Sequence, residues 1–363
     1  MRNSSAMPSA RSSCVTRDRA VGSPLSMTSG IAGFAPHPLL RNPHLMTLFP
    51  RFWARPGLPS AMPAEARLFT VTPESRILGH CHWQPDPKRH PTLIVIHGLE
   101  GCSESHYMLG LAEKAWRRGF NIVRLNQRNC GGSEHLTPTL YNNGMSGDVR
   151  AVLGELAARD GLDSIWLGGY SMGGNLVLKA AGELGASSQA LKGVVAVCPN
   201  IDPAACTAAL IQPRNWIYNG HFVRSLKARL RRKASLFPGK YDLSRLPAIR
   251  TLLDFDEAYT APDGGYRDAA EYYERAGSRH VLGAIAVPTL ILTAQDDPFI
   301  PYWIFDIPAV RTNSRIRFEA PRHGGHCGFI QRASAGEDRY WAEHRVIEFV
   351  AEKYLHESAE DAT

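Results

Sequence analysis

Between residues 66 and 355, short runs of β-branched and apolar residues alternate with segments whose apolar positions recur every three or four residues. A run of four to eight apolar residues bounded by turn formers reads as a buried strand, and the three-to-four spacing reads as a helix. On this basis ARLFTV and ILGHCHW are expected to pair antiparallel. TLIVIH (92–97), NIVRLN (121–126), SIWLGG (164–169), GVVAVC (193–198), TLILTA (289–294) and RIRFEA (315–320) are expected to form parallel strands. Helices fit residues 104–118, 146–159, 173–184, 302–311 and 338–355. Strands alternating with helices predict the α/β class, a mostly parallel eight-stranded sheet with helices on both faces.

One gap breaks the alternation. About 90 residues separate the strand ending near Cys198 from the one starting at Thr289, too many for a single crossover, and the stretch carries Trp216, Tyr218 and Phe222. Residues 200–285 are therefore expected to be a helical lid inserted into a core made of residues 31–199 and 286–358. Long insertions at the carboxyl edge of such sheets carry substrate-binding elements. Residues 1–30 are expected to be a disordered tail, rich in Ser and Arg, with Arg2, Arg11, Arg17 and Arg19 opposed by Asp18. A start codon assigned upstream of Met27 would explain such a tail, and a transit segment is the alternative.

Composition changes this picture little. Hydrophobic residues at 44% and charged residues at 21% suit a globular chain with a sizeable core. The net charge of +7 is diffuse and comes with no nucleic-acid recognition motif, so no nucleic-acid partner is expected. Seven cysteines, an odd number without a CxxC pair, fit a reducing compartment, and a cytoplasmic location is expected. No apolar run reaches the roughly 20 residues needed to cross a bilayer.

The chemistry centres on Gly169-Tyr170-Ser171-Met172-Gly173, which follows a predicted strand and precedes a predicted helix. That is the context of a nucleophile elbow, in which glycines on both sides make room for a sharply turned serine. A serine hydroxyl needs a base, and the base needs an orienting acid. Two loops supply candidates in the chain order of this mechanism: Asp296 and Asp297 after one strand, His323 and His326 after the next. Asp297 is preferred because it lies one step further into its loop, and His326 because Gly324, Gly325 and Gly328 let its loop turn the imidazole towards the serine. The backbone N–H groups of Leu99, in His97-Gly98-Leu99-Glu100-Gly101, and of Met172 are the expected oxyanion hole.

The segments FAPHPLLRNPHLMTLFP, HGLEG, RNCGG, GYSMGGN, DDPF and HGGHCGF, in this order, resemble the YheT/ABHD (EMB8-like) branch of the α/β hydrolases over residues 34–350. The resemblance implies the α/β-hydrolase fold, a triad of Ser171, Asp297 and His326, esterase or lipase-type activity on small-molecule or lipid esters, and no metal or organic cofactor. Two features depart from some eukaryotic members. Asn143 stands where those members carry a histidine five residues before an aspartate, here Asp148, so acyl transfer by that motif is not expected; the N-terminal membrane anchor of those members is not expected here either.

The expected function is thus cleavage of carboxylic esters through an acyl-enzyme. The alternatives are a thioesterase or acyltransferase using the same triad, or a non-catalytic binding protein on this fold. Other signals carry less. Arg41-Asn42-Pro43-His44 is expected to pack the N-terminal arm near the site mouth. His80 and His82 share a strand face but lack a third metal ligand, and Cys102 and Cys130 are expected to be packing residues. Residues 222–233 set Val223, Leu226 and Leu230 against Arg224, Lys227, Arg229, Arg231, Arg232 and Lys233. This is expected to be a lid helix with a solvated basic face, with weak peripheral contact with an anionic membrane as the second reading.

Overall fold

The computed structural model describes residues 33–53, 55, 58, 62–334 and 336–360, with side chains to residue 355. The tail expected at residues 1–30 lies outside the described residues. Eight strands form one sheet: β1 Glu65–Thr72, β2 Ser75–His82, β3 Thr92–Ile96, β4 Asn121–Leu125, β5 Ile165–Tyr170, β6 Leu191–Val197, β7 Thr289–Leu292 and β8 Ile316–Glu319. Their order is β1-β2-β4-β3-β5-β6-β7-β8. Only the pairings β1–β2 and β2–β4 are antiparallel, and all others are parallel.

The helices are α1 Pro43–Phe52, α2 His106–Arg117, α3 Ser146–Asp160, α4 Met172–Leu184, α5 Pro203–Leu210, α6 Trp216–Leu236, α7 Leu252–Phe255, α8 Ala261–Asp263, α9 Ala269–Ala276, α10 Pro308–Thr312 and α11 Trp341–Glu360. The central strands are mostly apolar because both sheet faces are covered, with Asn121 and Arg124 of β4 and Lys192 of β6 among the exceptions. With side chains alternating, Leu93 and Val95 of β3 pack with Met108 and Leu111 of α2 and with Val346 and Val350 of α11. Ile94 and Ile96 pack on the other side with Val152 and Leu156 of α3 and Leu176 of α4.

Register brings the chemistry to one edge. Ile96 pairs with Gly169, Tyr170 with Val197, Val197 with Leu292, and Leu292 with Glu319. The loops leaving β3, β5, β6, β7 and β8 therefore emerge side by side at the carboxyl ends of the strands, where α/β sheets place their ligands. Helices α5 to α9 lie between β6 and β7.

The structure differs from expectation in two helical segments. Residues 302–311 are a 3₁₀ turn at Tyr302–Phe305 followed by α10, not one helix. Pro308 has no N–H to donate and its ring blocks the carbonyl four residues back. In α6 the basic face is not wholly solvated, since Arg229 and Lys233 are buried.

Candidate active site

Ser171 stands between the last residue of β5 and the first of α4 with φ 53° and ψ −116°. A left-handed backbone is uncommon for a non-glycine residue and persists only where its surroundings enforce it. Here they do: a Cβ on Gly169 would come within 2.3 Å of the Gly173 carbonyl oxygen, and one on Gly173 within 2.3 Å of the Ile96 oxygen. The tight packing of α4 against β3 and β5 thus turns the serine outwards. Its backbone N–H donates to the Val197 oxygen at 2.8 Å, tying the turn to β6.

The loop after β3 faces this turn, and a Cβ on Gly98 would sit 3.1 Å from that of Ser171. Its shape is fixed from several sides. Tyr107 Oη accepts from Gly98 N at 3.0 Å, and Gly101 N donates to Gly98 O at 3.1 Å. Buried His97 accepts from Gln127 N at Nε2 (3.1 Å), so its proton is on Nδ1, which donates to Gly98 O at 2.7 Å. Burial holds this imidazole neutral, pulling its pKa down to about 4. Among the described residues, neither the Leu99 nor the Met172 backbone N–H has a hydrogen-bond partner.

Asp297 and His326 meet, with Nδ1 donating to Oδ2 at 2.8 Å, and the carboxylate side chain is fully buried. Its other oxygen accepts from Phe299 N at 3.0 Å and Ile300 N at 2.9 Å, which fixes the acid in its loop. Burial disfavours the charged imidazole, but the adjacent Asp297 carboxylate and the Cys327 sulfur together more than offset this and raise the His326 pKa. With Nδ1 held by the acid, Nε2 is left with the lone pair. The two residues set aside also pair with each other: His323 Nδ1 lies 3.2 Å from Asp296 Oδ2, in a more exposed position, and Asp296 Oδ1 accepts from Gly325 N.

The Phe299 ring bridges the two halves of the site. It lies 4.1 Å from the His326 ring, centroid to centroid, and lines the same cavity as Ser171. Among the described residues no hydrogen bond joins the Ser171 hydroxyl to His326. Such bonds are often long before substrate is bound. The cavity is walled by Leu99, Leu140 and Ile300 of the core and by Leu210, Phe222, Leu226 and Phe255 of the α5–α9 segment.

Cys198, His326 and Cys327 offer ligand atoms within 4.8 Å of one another. In the site as it stands, His326 Nδ1 is committed to Asp297, and Cys198 Sγ accepts from Cys327 N at 3.3 Å. Of the two strand histidines considered for a metal, His80 and His82, the latter is occupied at both nitrogens: Arg124 Nε lies 3.1 Å from Nε2, and Nδ1 lies 2.9 Å from the Pro63 oxygen.

Asn143 is buried and held by Asn175 Nδ2 at both its oxygens (3.0 Å each), while its N–H donates to Tyr272 Oη at 2.9 Å. Asp148 is paired with Arg128 at 2.6 Å. Asp148 is thus committed to its ion pair, and the Asn143 carboxamide is not a base. The polar island at residues 41–44 is a helix start, with Asn42 capping α1 by accepting from His44 N and Leu45 N and Pro43 in the first turn. One turn later Thr47 Oγ1 accepts from His326 N at 2.8 Å, so α1 supports the histidine loop. Sequence reasoning missed Thr47 and Phe299, because neither residue type announces a role until the loops are brought together.

The sequence model of the alpha/beta hydrolase fold family matches residues 91–333. The Escherichia coli (strain K12) protein YheT, whose name carries a provisional esterase assignment, is 30% identical over 327 residues, covering 89% of this chain and 94% of that protein. Phospholipase ABHD3 of Mus musculus is 28% identical over 247 residues, 68% of this chain and 60% of that protein. Among solved structures, the Pyrococcus furiosus esterase Pf2001 superposes with a TM-score of 0.55 at 16% identity, over 81% of this chain and 91% of that one, a likeness of fold. With its sheet order, its elbow at Ser171 and these matches, the chain belongs to the YheT/ABHD (EMB8-like) branch of the α/β-hydrolase superfamily.

Proposed function

We propose that this protein is a serine hydrolase that cleaves carboxylic esters through an acyl-enzyme. The observation that carries the reading is the pair of unpartnered backbone N–H groups, Leu99 and Met172, flanking an outward-turned Ser171 at an apolar cavity. Donors placed where charge develops are the largest single contribution to many acyl transfers. In this reading His326 Nε2 takes the Ser171 proton, Asp297 holds the imidazole tautomer, and the two N–H groups bind the oxyanion. Water then attacks the acyl-enzyme with His326 as base.

Residues 200–285 act as the lid, with Leu210, Phe222, Leu226 and Phe255 supplying the wall for the acyl chain. The relatives' names support ester substrates: ABHD3 is named a phospholipase, and a Saccharomyces cerevisiae relative 27% identical over 289 residues is named a medium-chain fatty acid ethyl ester synthase/esterase. Turnover of p-nitrophenyl esters tests the proposal. Wild type should hydrolyse them with a burst of p-nitrophenol, and folded Ser171→Ala should lose about four orders of magnitude or more in kcat. A folded wild type inert to acyl chains from acetate to palmitate would overturn it.

A further inference from the structure

The oxyanion loop is gripped by α6. Glu100, next to Leu99, has a left-handed backbone (φ 56°) although it is not glycine. Its N–H donates to Tyr141 Oη at 3.0 Å, and Tyr141 Oη donates back to Glu100 Oε1 at 2.7 Å. Arg229 on α6 approaches the same carboxylate with Nε at 2.9 Å and Nη2 at 3.3 Å, and Ser225, one turn earlier, donates to the other oxygen. Arg229 also donates to the Asn129 oxygen. The pair is buried, with side chains 9% and 3% exposed.

A buried ion pair is weak evidence for stability, since well-packed apolar residues often do as well. The location of this one suggests a different use. Every partner of the Glu100 side chain acts one residue from the Leu99 N–H, and the left-handed turn needs enforcement. A donor in an oxyanion hole acts only when its position is fixed in advance. We propose that Glu100, clamped by Arg229 and Tyr141, is a positioning residue that sets the Leu99 N–H for the oxyanion and makes that half of the hole depend on α6 being docked. This rests on the serine hydrolase reading above.

The clamp is tested by releasing it without leaving a buried charge. Removing both partners, Glu100→Gln with Arg229→Met, avoids the unpaired carboxylate, and Tyr141→Phe removes only the hydroxyl. Each variant is assayed for kcat and KM on a p-nitrophenyl ester and for affinity towards an alkyl boronic acid, whose tetrahedral adduct places an oxygen in the hole. The carboxylic acid product serves as the ground-state ligand.

The expected result is a fall of tenfold or more in kcat and a parallel fall in boronate affinity, with KM and product affinity within about twofold. Arg229→Lys should fall in between, because a lysine keeps the charge but not the fork. A folded double variant or Tyr141→Phe with wild-type kcat and boronate affinity would overturn the inference, as would losses shared equally by boronate and product. If the double variant fails to fold, Tyr141→Phe and Arg229→Lys decide by the same ratio. Failure of the serine hydrolase reading itself looks different, since wild type would neither turn over the ester nor bind the boronate.

Discussion

Two Asp–His pairs stand within a few residues of each other, and burial and contact decide between them. Asp297 is fully buried, takes two backbone N–H groups on its other oxygen, and orients an imidazole whose ring lies against Phe299 at the Ser171 cavity. Asp296 and His323 are more exposed and brace the loop through Gly325. Asp297→Asn should therefore lower kcat by about 10⁴-fold, because an amide no longer enforces the tautomer with its lone pair on Nε2. Asp296→Asn should cost about tenfold or less, in line with the small worth of exposed ion pairs.

The sign of the pH effect follows from the raised His326 pKa. In the proposed mechanism the base must be neutral, so activity rises with pH through that pKa; deleting the carboxylate charge removes the larger of the two side-chain contributions that raise it, Cys327 supplying the other, so the ascending limb of the residual activity in Asp297→Asn should move to lower pH. A kcat/KM profile of both enzymes checks this, and an unmoved limb would count against Asp297 as the partner. The sequence offered all four residues but no burial, and its preference rested on the place of Asp297 in its loop, the glycines around His326 and the family resemblance.

At the level of elements, strands were legible because parallel strands covered on both faces are apolar on both sides, as in Thr92–Ile96 and, beyond Lys192, in Leu191–Val197. Less was legible in segments where one residue overrides the pattern, as Pro308 does between the turn at Tyr302–Phe305 and α10. Helical spacing also could not separate the buried cations of α6 from its solvated ones. Arg229 and Lys233 are drawn inwards by acceptors far off in sequence, Glu100 for the first and the Glu134 and Thr137 carbonyls for the second.

Glycine positions give an element-scale prediction. Gly173→Ala would drive a methyl into the Ile96 and His97 carbonyl oxygens, at 2.3 and 2.6 Å. It should lower stability by about 1–3 kcal/mol or more and reduce activity by shifting the elbow. Gly154, exposed inside α3 with nothing near its Cβ position, should instead gain about 0.5–1 kcal/mol on substitution by Ala. Urea denaturation of the two variants provides the comparison, and a neutral Gly173→Ala would remove the steric account of the elbow.

For the molecule as a whole, the fold and its family were legible because motifs spread over most of the chain occur in one order, and the sheet register then brings them to one edge. The cavity was not legible, because its wall joins Leu140 and Ile300 of the core to Phe222, Leu226 and Phe255, which no local pattern relates. No helix among the described residues is long and apolar enough to cross a membrane.

An apolar wall of this kind should favour acyl chains that fill it. Each methylene buried contributes about 0.8 kcal/mol, so kcat/KM on p-nitrophenyl esters should rise about fourfold per added carbon until the cavity is full and then level or fall. Phe255→Ala should move the optimum to longer chains. A flat series in wild type would mean that the acyl group does not occupy this wall.

The central claim, that Ser171 is the nucleophile, is tested most directly by treating the protein with a fluorophosphonate and mapping the adduct by peptide mass spectrometry. A single adduct on Ser171, absent from folded Ser171→Ala, is the predicted result. A folded wild type that takes no label, or a label that persists at another residue in Ser171→Ala, would contradict it.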